Sequence, residues 1–197
     1  MSRLESVLCR NDLPEAELQA ARLDGEVYAV SECFCPIDVV ADRHHRGRSL
    51  SLVLPRRVIA EQLTAAWVLG AIPFPPRRHQ LCADVGARVR SPDTVRASVR
   101  EVVIEEAELL SFGGLRVTTP LRTVIDLARF SPDFDEHERE VVRSLMAMGG
   151  FGVADCDTAM NRRRNLPGKA KAQERISGSV RSEQVRTSGI EVVTEYG

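Results

Sequence analysis

Leu4, Val7 and Leu8 sit at helical spacing at the start of the chain, and Asn11-Asp12-Leu13-Pro14 reads as a turn into a second helix. Asn11 or Asp12 is the expected cap and Pro14 lies near the first helical position. Leu18, Ala21 and Arg22 follow on that helix, and Gly25 ends it. VYAV at 27–30 and CFCPI at 33–37 predict two short strands around Ser31-Glu32. Residues 1–38 therefore have the helix, turn, helix, hairpin order of a winged helix. Residues 56–70, RRVIAEQLTAAWVLG, predict a helix with Ile59, Leu63, Ala66 and Trp67 on one face, Trp67 as a core anchor and Gly70 as its stop. IPFPP at 72–76 breaks the chain. HQLCADVG at 79–86 and ASVREVVIEE at 97–106 predict strands with a polar turn around Ser91-Pro92-Asp93, and Gly113-Gly114 a hairpin leading into LRVTT at 115–119.

The second half is helical in pattern. In RVTTPLRTVIDLAR at 116–129, Thr119 is a good N-cap and Pro120 suits the first turn. Leu121, Val124, Ile125 and Ala128 form an apolar stripe, and Arg122, Asp126 and Arg129 a polar one. Exposed pairs at that spacing contribute roughly 0.2–0.5 kcal/mol each, so local physics accounts for the segment without chemistry. A carboxylate between two guanidiniums is also a poor general base. Asp133 or Asp135 starts a helix with Val141, Leu145 and Met148 as apolar positions, GGFG at 149–152 breaks it, and 153–160 continues as another helix into Arg162-Arg163-Arg164. Asn165-Leu-Pro-Gly168 is a turn and KAKAQERI at 169–176 a further helix. From Ser177 on, the composition turns polar, and 177–197 is expected to be poorly ordered. The fold class is α+β: an N-terminal winged-helix-like unit at 1–38, a basic linker at 39–55, an α+β domain with a small mixed sheet at 56–176, a helical C-terminal half, and the tail.

Charge changes this picture. The 197 residues carry a net charge of −1, which argues against a uniformly basic coat for nucleic acid. The balance hides strong asymmetry. Residues 1–38 hold three arginines against eight acids, and 101–140 four against ten. Arg43 to Arg57 holds five arginines, His44 and His45 with no acid, while 162–186 holds eight basic residues and two acids. Gly47, Ser49 and Ser51 suggest a loop for the first basic run. It reads as a solvated connector or as a phosphate-contacting arm, and both readings stay open. All but two of the basic residues, Lys169 and Lys171, are arginine, which suits bidentate contacts to phosphate or carboxylate and also fits a codon bias.

Candidate chemistry is sparse. Cys9, Cys33, Cys35, Cys82 and Cys156 include no C-x-x-C pair, residues 1–12 lack the apolar region of a signal peptide, and no apolar run reaches the roughly 20 residues of a membrane span. A reduced, cytoplasmic protein is expected. Walker, dinucleotide-binding, zincin and nucleophile-elbow motifs are missing, and His44, His45, His79 and His137 stand in no relation to a nucleophile or ligand set. The expectation is a protein with no catalytic residues, no metal and no cofactor.

The order LDGEVYAV, TAAWVLG, GLRVTTPLRTVIDLAR and NLPGKAKAQERI, spanning about residues 1–176, resembles the AbiEi-type antitoxins of type IV toxin–antitoxin systems in their actinobacterial form. The pieces that carry the resemblance are RVTTPLRTVIDLAR at 116–129 and NLPGK at 165–169. The same pieces precede Vsr-like endonuclease domains, for which 197 residues leave no room, so a truncated relative of that nuclease is one alternative. The resemblance implies a winged helix that binds operator DNA of its own operon and a C-terminal part that opposes a nucleotidyltransferase-type toxin. It matches the recognition helix to residues 15–23, where Arg22 is the residue able to read a guanine. Arg43, Arg46, Arg48, Arg56, Arg57 and Arg162, Arg163 and Arg164 are the expected phosphate contacts. The other alternative is a protein-interaction module that touches no DNA and presents its acidic stretches to a partner.

Overall fold

In the computed structural model, which describes residues 6–86 and 96–191 with side chains to Arg181, the first apolar residues do not form a helix. Leu8 and Phe34 instead form an antiparallel bridge and exchange both backbone hydrogen bonds, at 2.8 and 2.9 Å. A turn over 9–13 follows, and Asp12 accepts from the Cys9 N–H at 2.8 Å rather than capping the next helix. Helix α1 (Glu15–Leu23) starts after Pro14 without a side-chain cap. Gly25 takes a left-handed φ of +77° and turns the chain into β1 (Val27–Val30), which pairs antiparallel with β2 (Cys33–Pro36). Leu8, Leu18, Val27 and Phe34 form the core here, with Leu13 and Ala21 against it. Burial of side chains this size contributes roughly 1.5–3 kcal/mol each. Among the described residues, 6–38 thus hold one helix and a two-stranded hairpin with a single bridge from Leu8 at its edge.

The 39–55 stretch, expected as a loop-like linker, is largely helical. Asp42 accepts from the His44 and His45 N–H groups at 2.8 and 2.9 Å, and the His45 ring reaches back to the Asp42 N–H. This capping box starts α2 (Arg43–Val53). Its buried residues are Gly47, Ser49 and Leu50, too small and polar to register as an apolar stripe. The helix expected over 56–70 is shorter. Arg57 and Gln62 have positive φ (+71° and +49°), and between them lies β3 (Ile59–Ala60); α3 (Gln62–Leu69) follows. Trp67 is buried as expected, but α3 buries nearly its whole circumference, packing against α2 and two strands of the sheet.

β3 is the centre of a mixed five-stranded sheet with β4 (His79–Asp84), β5 (Ala97–Val102), β6 (Leu109–Phe112) and β7 (Leu115–Thr118), in the order β5-β4-β3-β7-β6. β3 is antiparallel to β4 and parallel to β7, and β6–β7 is the expected hairpin around Gly113-Gly114. β4 and β5 run parallel, His79 beside Ala97, an arrangement strand patterning alone does not supply. The turn read at 91–93 lies outside the described residues. Buried Glu61 at the end of β3 receives a bidentate ion pair from Arg100 of β5, at 2.6 and 2.7 Å. Replacing Glu61 with alanine removes both hydrogen bonds, and urea unfolding should show a loss of about 2 kcal/mol.

The His79 ring is buried where the β1–β2 turn meets the sheet. Its Nε2 lies 3.4 Å from Ser31 Oγ, and its Nδ1 has no hydrogen-bond partner among the described residues. Burial lowers its pKa from 6.5, with nearby Glu32 opposing. The unfolded chain therefore binds this proton at a pH where the folded chain does not, and stability falls as pH drops below about 6.5. Urea midpoints between pH 7.5 and 5.5 should decline in the wild type and flatten in His79→Gln.

Contacts divide the chain into two units, Met1–Thr119 and Pro120–Gly197. The second is all helical where described: α4 (Pro120–Phe130), α5 (Glu136–Gly149), α6 (Val153–Asn161) and α7 (Lys169–Glu191). Asp135 caps α5 as expected, and Gly150 ends it in the left-handed region. Val141 and Leu145 are buried, whereas Met148 is 45% exposed. The polar stretch after Ser177, expected to be poorly ordered, continues α7 to Glu191. Ser179 is buried, its hydroxyl returns to the Arg175 carbonyl at 2.8 Å, and Arg143 donates to the Ser179 carbonyl at 3.1 Å. Polar residues whose hydroxyls and carbonyls are satisfied locally extend a helix that composition alone would end. No helix among the described residues is long and apolar enough to cross a membrane.

Candidate nucleic-acid interface

α2 lies along the β6–β7 hairpin, seated by two glycines. A Cβ on Gly47 would overlap the Phe112 carbonyl, and one on Gly113 (φ +56°) would overlap the Arg48 backbone and the His44 carbonyl. Ser51 Oγ closes the contact by donating to the Gly113 carbonyl at 3.0 Å. This seat fixes the basic run. Arg43 is exposed at the start of α2 with its guanidinium 5.5 Å from the centre of the Phe112 ring. Arg48 is half-buried. Arg56 and Arg57 are exposed beyond the other end of the helix, and among the described residues they form no ion pair. An 11-residue helix is about 16 Å long. Arg43 and the Arg56–Arg57 pair thus lie at and beyond the two ends of this helix.

Arg46 departs from its expected role. It turns inward, donates to the Trp67 and Ile72 carbonyls at 2.6 and 3.3 Å, and lies over the Trp67 ring. Burial lowers its pKa, with Tyr28 and Asp42 opposing. It is a bolt between α2 and α3 and is not placed for a phosphate. His45 serves Asp42 as part of the cap, Nδ1 to Oδ1 2.7 Å. No group of three or more His, Cys, Asp or Glu among the described residues could hold a metal ion.

The α1 helix offers little positive charge. Arg22 is exposed in its last turn. The Glu15 carboxylate takes Arg10 at 2.7 Å and Gln19 at 2.8 Å, which together lower its pKa, Gln19 foremost. Glu17 and Asp24 are exposed.

In the second unit, Arg162 follows α6 as its C-cap. Arg162 and Arg164 are exposed and Arg163 is half-buried. Cations at a helix C-terminus also gain from the helix dipole, so their presence there has a structural benefit. Two basic features escaped the sequence reading. Arg77 and Arg78 are exposed just before β4, at the end of the sheet opposite Arg56–Arg57 given the antiparallel β3–β4 register. Arg139, Lys171, Arg175 and Arg181 line a cavity of about 500 Å³ with Phe134 and one acid, Glu174. The spacing of 171, 175 and 181 on one continuous helix is the signal that could have exposed it, had α7 been extended past 176.

The polar stripe of α4 is not exposed as expected. Asp126 is 0% accessible, Arg122 donates to it at 2.8 Å and Arg129 at 3.3 Å, and both guanidiniums are buried with it. Arg129 also donates to the Pro167 carbonyl at 2.9 Å, so the last turn of α4 is tied to the 165–168 turn. Asn165 and Gly168 take positive φ there (+60° and +75°) to form the turn. These residues hold the helices together and present no reactive group.

No protein-family model matches the chain, and no curated protein matches it. Among solved structures the chain is similar to the crystal structure of the RV2827C protein from Mycobacterium tuberculosis. The two are 17% identical over 88% of this chain and 76% of that one, with a TM-score of 0.37, and a likeness that loose carries no functional argument.

Proposed function

We propose that this chain is an antitoxin-like regulator of the AbiEi type, which binds DNA of its own operon and counteracts a nucleotidyltransferase-type toxin. The observation that supports the DNA half is the set of exposed arginines at fixed positions on the first unit: Arg43, Arg56 and Arg57 around α2, with Arg22 on α1. Guanidiniums set apart at and beyond the ends of a helix suit separate phosphates better than one small anion. Arg22 is the side chain left for a base edge. Arg162, Arg164 and the basic cavity of the second unit add phosphate contacts on this reading. It gives Arg46 and Arg48 supporting roles and assigns no catalytic residue. The toxin half rests on the resemblance of 116–129 and 165–169.

Charge reversal tests the phosphate contacts. In Arg56→Glu/Arg57→Glu, binding to a duplex should weaken equally for all sequences. The slope of log affinity against log salt should become shallower by about 0.9 for each phosphate no longer neutralised. An unchanged slope removes these two residues from the interface. One observation favours a second reading, a protein-interaction module without DNA binding. Leu23, Ile37 and Val40 are largely exposed beside the acids Asp24, Glu26 and Asp38. Binding of the purified chain to no duplex at low salt would move the proposal there.

A further inference from the structure

Leu8 and Phe34 exchange both backbone hydrogen bonds across the edge of the N-terminal hairpin. In an antiparallel ladder the next pair, Cys9 opposite Cys33, is then a non-hydrogen-bonded pair. In such a pair the Cα atoms ordinarily lie about 4.5 Å apart with both side chains on one face, and the Cys9 thiol is close enough to Cys33 to raise its pKa. The Cys9 N–H fits this register, since it donates to Asp12 and not to β2. A disulfide requires Cα atoms about 4.4–6.8 Å apart. Both cysteines are buried and free. Cys35 shares the face of Cys33 but stands opposite position 7, a valine. The two thiols differ in access. Cys9 lines a cavity of about 260 Å³ with Arg10, Asn11, Glu32, Leu52 and Val53. Cys33 lies deeper, and its thiol donates to the Ser49 carbonyl at 3.4 Å. Burial, and next the neighbouring Cys9, push its pKa up to about 12.

We propose that Cys9 and Cys33 are an oxidative modification site, in which a peroxide reaching the cavity oxidises Cys9 and Cys33 resolves the product as a cross-strand disulfide. The Cys9 sulfur attacks the O–O bond of hydrogen peroxide, takes one oxygen as a sulfenic acid and releases the other as water. The Cys33 sulfur then attacks the Cys9 sulfur. The S–S bond forms, the S–O bond breaks, and the departing hydroxide leaves as water with the Cys33 proton. Two thiols and one peroxide become one disulfide and two waters. The bond closes a loop around α1 and ties that helix to its hairpin. In a thiol-buffered compartment the pair stays reduced until an oxidant arrives.

The test treats the full-length wild-type chain with hydrogen peroxide, unfolds it in acid, alkylates free thiols and digests it with trypsin. Cys9 falls in the peptide 4–10 and Cys33, with Cys35, in 23–43. The expected product is the two peptides joined with loss of two hydrogens. Fragmentation should place the bond at Cys33, and dithiothreitol should reverse it. The link should persist in Cys35→Ser. A bond at Cys35, a Cys33–Cys35 bond within 23–43, or Cys9 recovered alkylated or as sulfinic acid without a partner peptide would each overturn the proposal. The wild-type map decides the matter even where a cysteine variant fails to fold.

Discussion

Asp126→Ala should destabilise the helical second unit by about 3–5 kcal/mol, the largest effect expected of a single substitution in this chain. The carboxylate is fully buried between Arg122 and Arg129 and receives a hydrogen bond from each. Removing it leaves two guanidiniums facing each other in a site with little water to screen them. The neutral, nearly isosteric Asp126→Asn should be almost as harmful, because it preserves shape while discarding the charge that the arginines surround. The damage would propagate to the turn at 165–168, since Arg129 also holds the Pro167 carbonyl. Urea unfolding monitored by far-ultraviolet circular dichroism checks this. A loss under about 1 kcal/mol is what an exposed pair would show, and it would place the stripe in solvent.

Gly47→Ala should have the next largest effect, a loss of about 2–4 kcal/mol in the first unit. The added methyl meets the backbone carbonyl of Phe112, which cannot rotate away as a side chain can. Either α2 lifts from the hairpin or the hairpin bends. Both outcomes shift Arg43, whose guanidinium rests over the Phe112 ring. Gly114→Ala is the control. Gly114, unlike Gly47, has a positive φ, +85°, but its Cβ would meet only Ser51 Oγ at 3.8 Å, so the expected loss is backbone strain alone, about 1 kcal/mol. Equal losses at the two positions would show that α2 does not bear closely on the hairpin. A Gly47→Ala protein that keeps its fold but binds duplex DNA more weakly would tie the seat of α2 to the arginine geometry.

Where local signals were strong, the sequence carried the fold. Asp135 before α5, Gly150 after it, the Gly113-Gly114 hairpin and the β1–β2 pair all appear where spacing and turn residues place them. Helix α2 was hidden because its cap is an aspartate answered by a histidine and its buried face is glycine, serine and leucine. The extension of α7 was hidden because Ser177, Gly178 and Ser179 read as a loop, while the structure satisfies the Ser179 hydroxyl and carbonyl within the bundle. Leu8 stands at helical spacing from Leu4, yet its partner is Phe34, a long-range pairing that local period does not encode. The parallel β4–β5 pair is non-local in the same sense.

The candidate interface was partly legible. Charge counting found Arg43, Arg56 and Arg57, which the structure leaves exposed, but it could not separate them from Arg46, an arginine of the same run that points inward to two carbonyls. It also missed the basic cavity, whose residues come from two helices and converge only once α7 is long enough. For the α4 stripe, spacing predicted the pairing of Asp126 with both arginines. Burial, which raises the energetic stake severalfold, depends on what packs over the helix and is absent from the local pattern.

Sequence-specific binding to DNA of its own operon is the central property proposed for this chain. The most direct measurement is fluorescence anisotropy of the purified protein with its own upstream duplex and with a scrambled duplex of equal length, at two salt concentrations. Tighter binding to the upstream duplex is expected, with a preference that survives the higher salt. Arg22→Ala should abolish that preference and keep the salt slope. Equal binding to both duplexes that vanishes at the higher salt would contradict sequence reading by this chain.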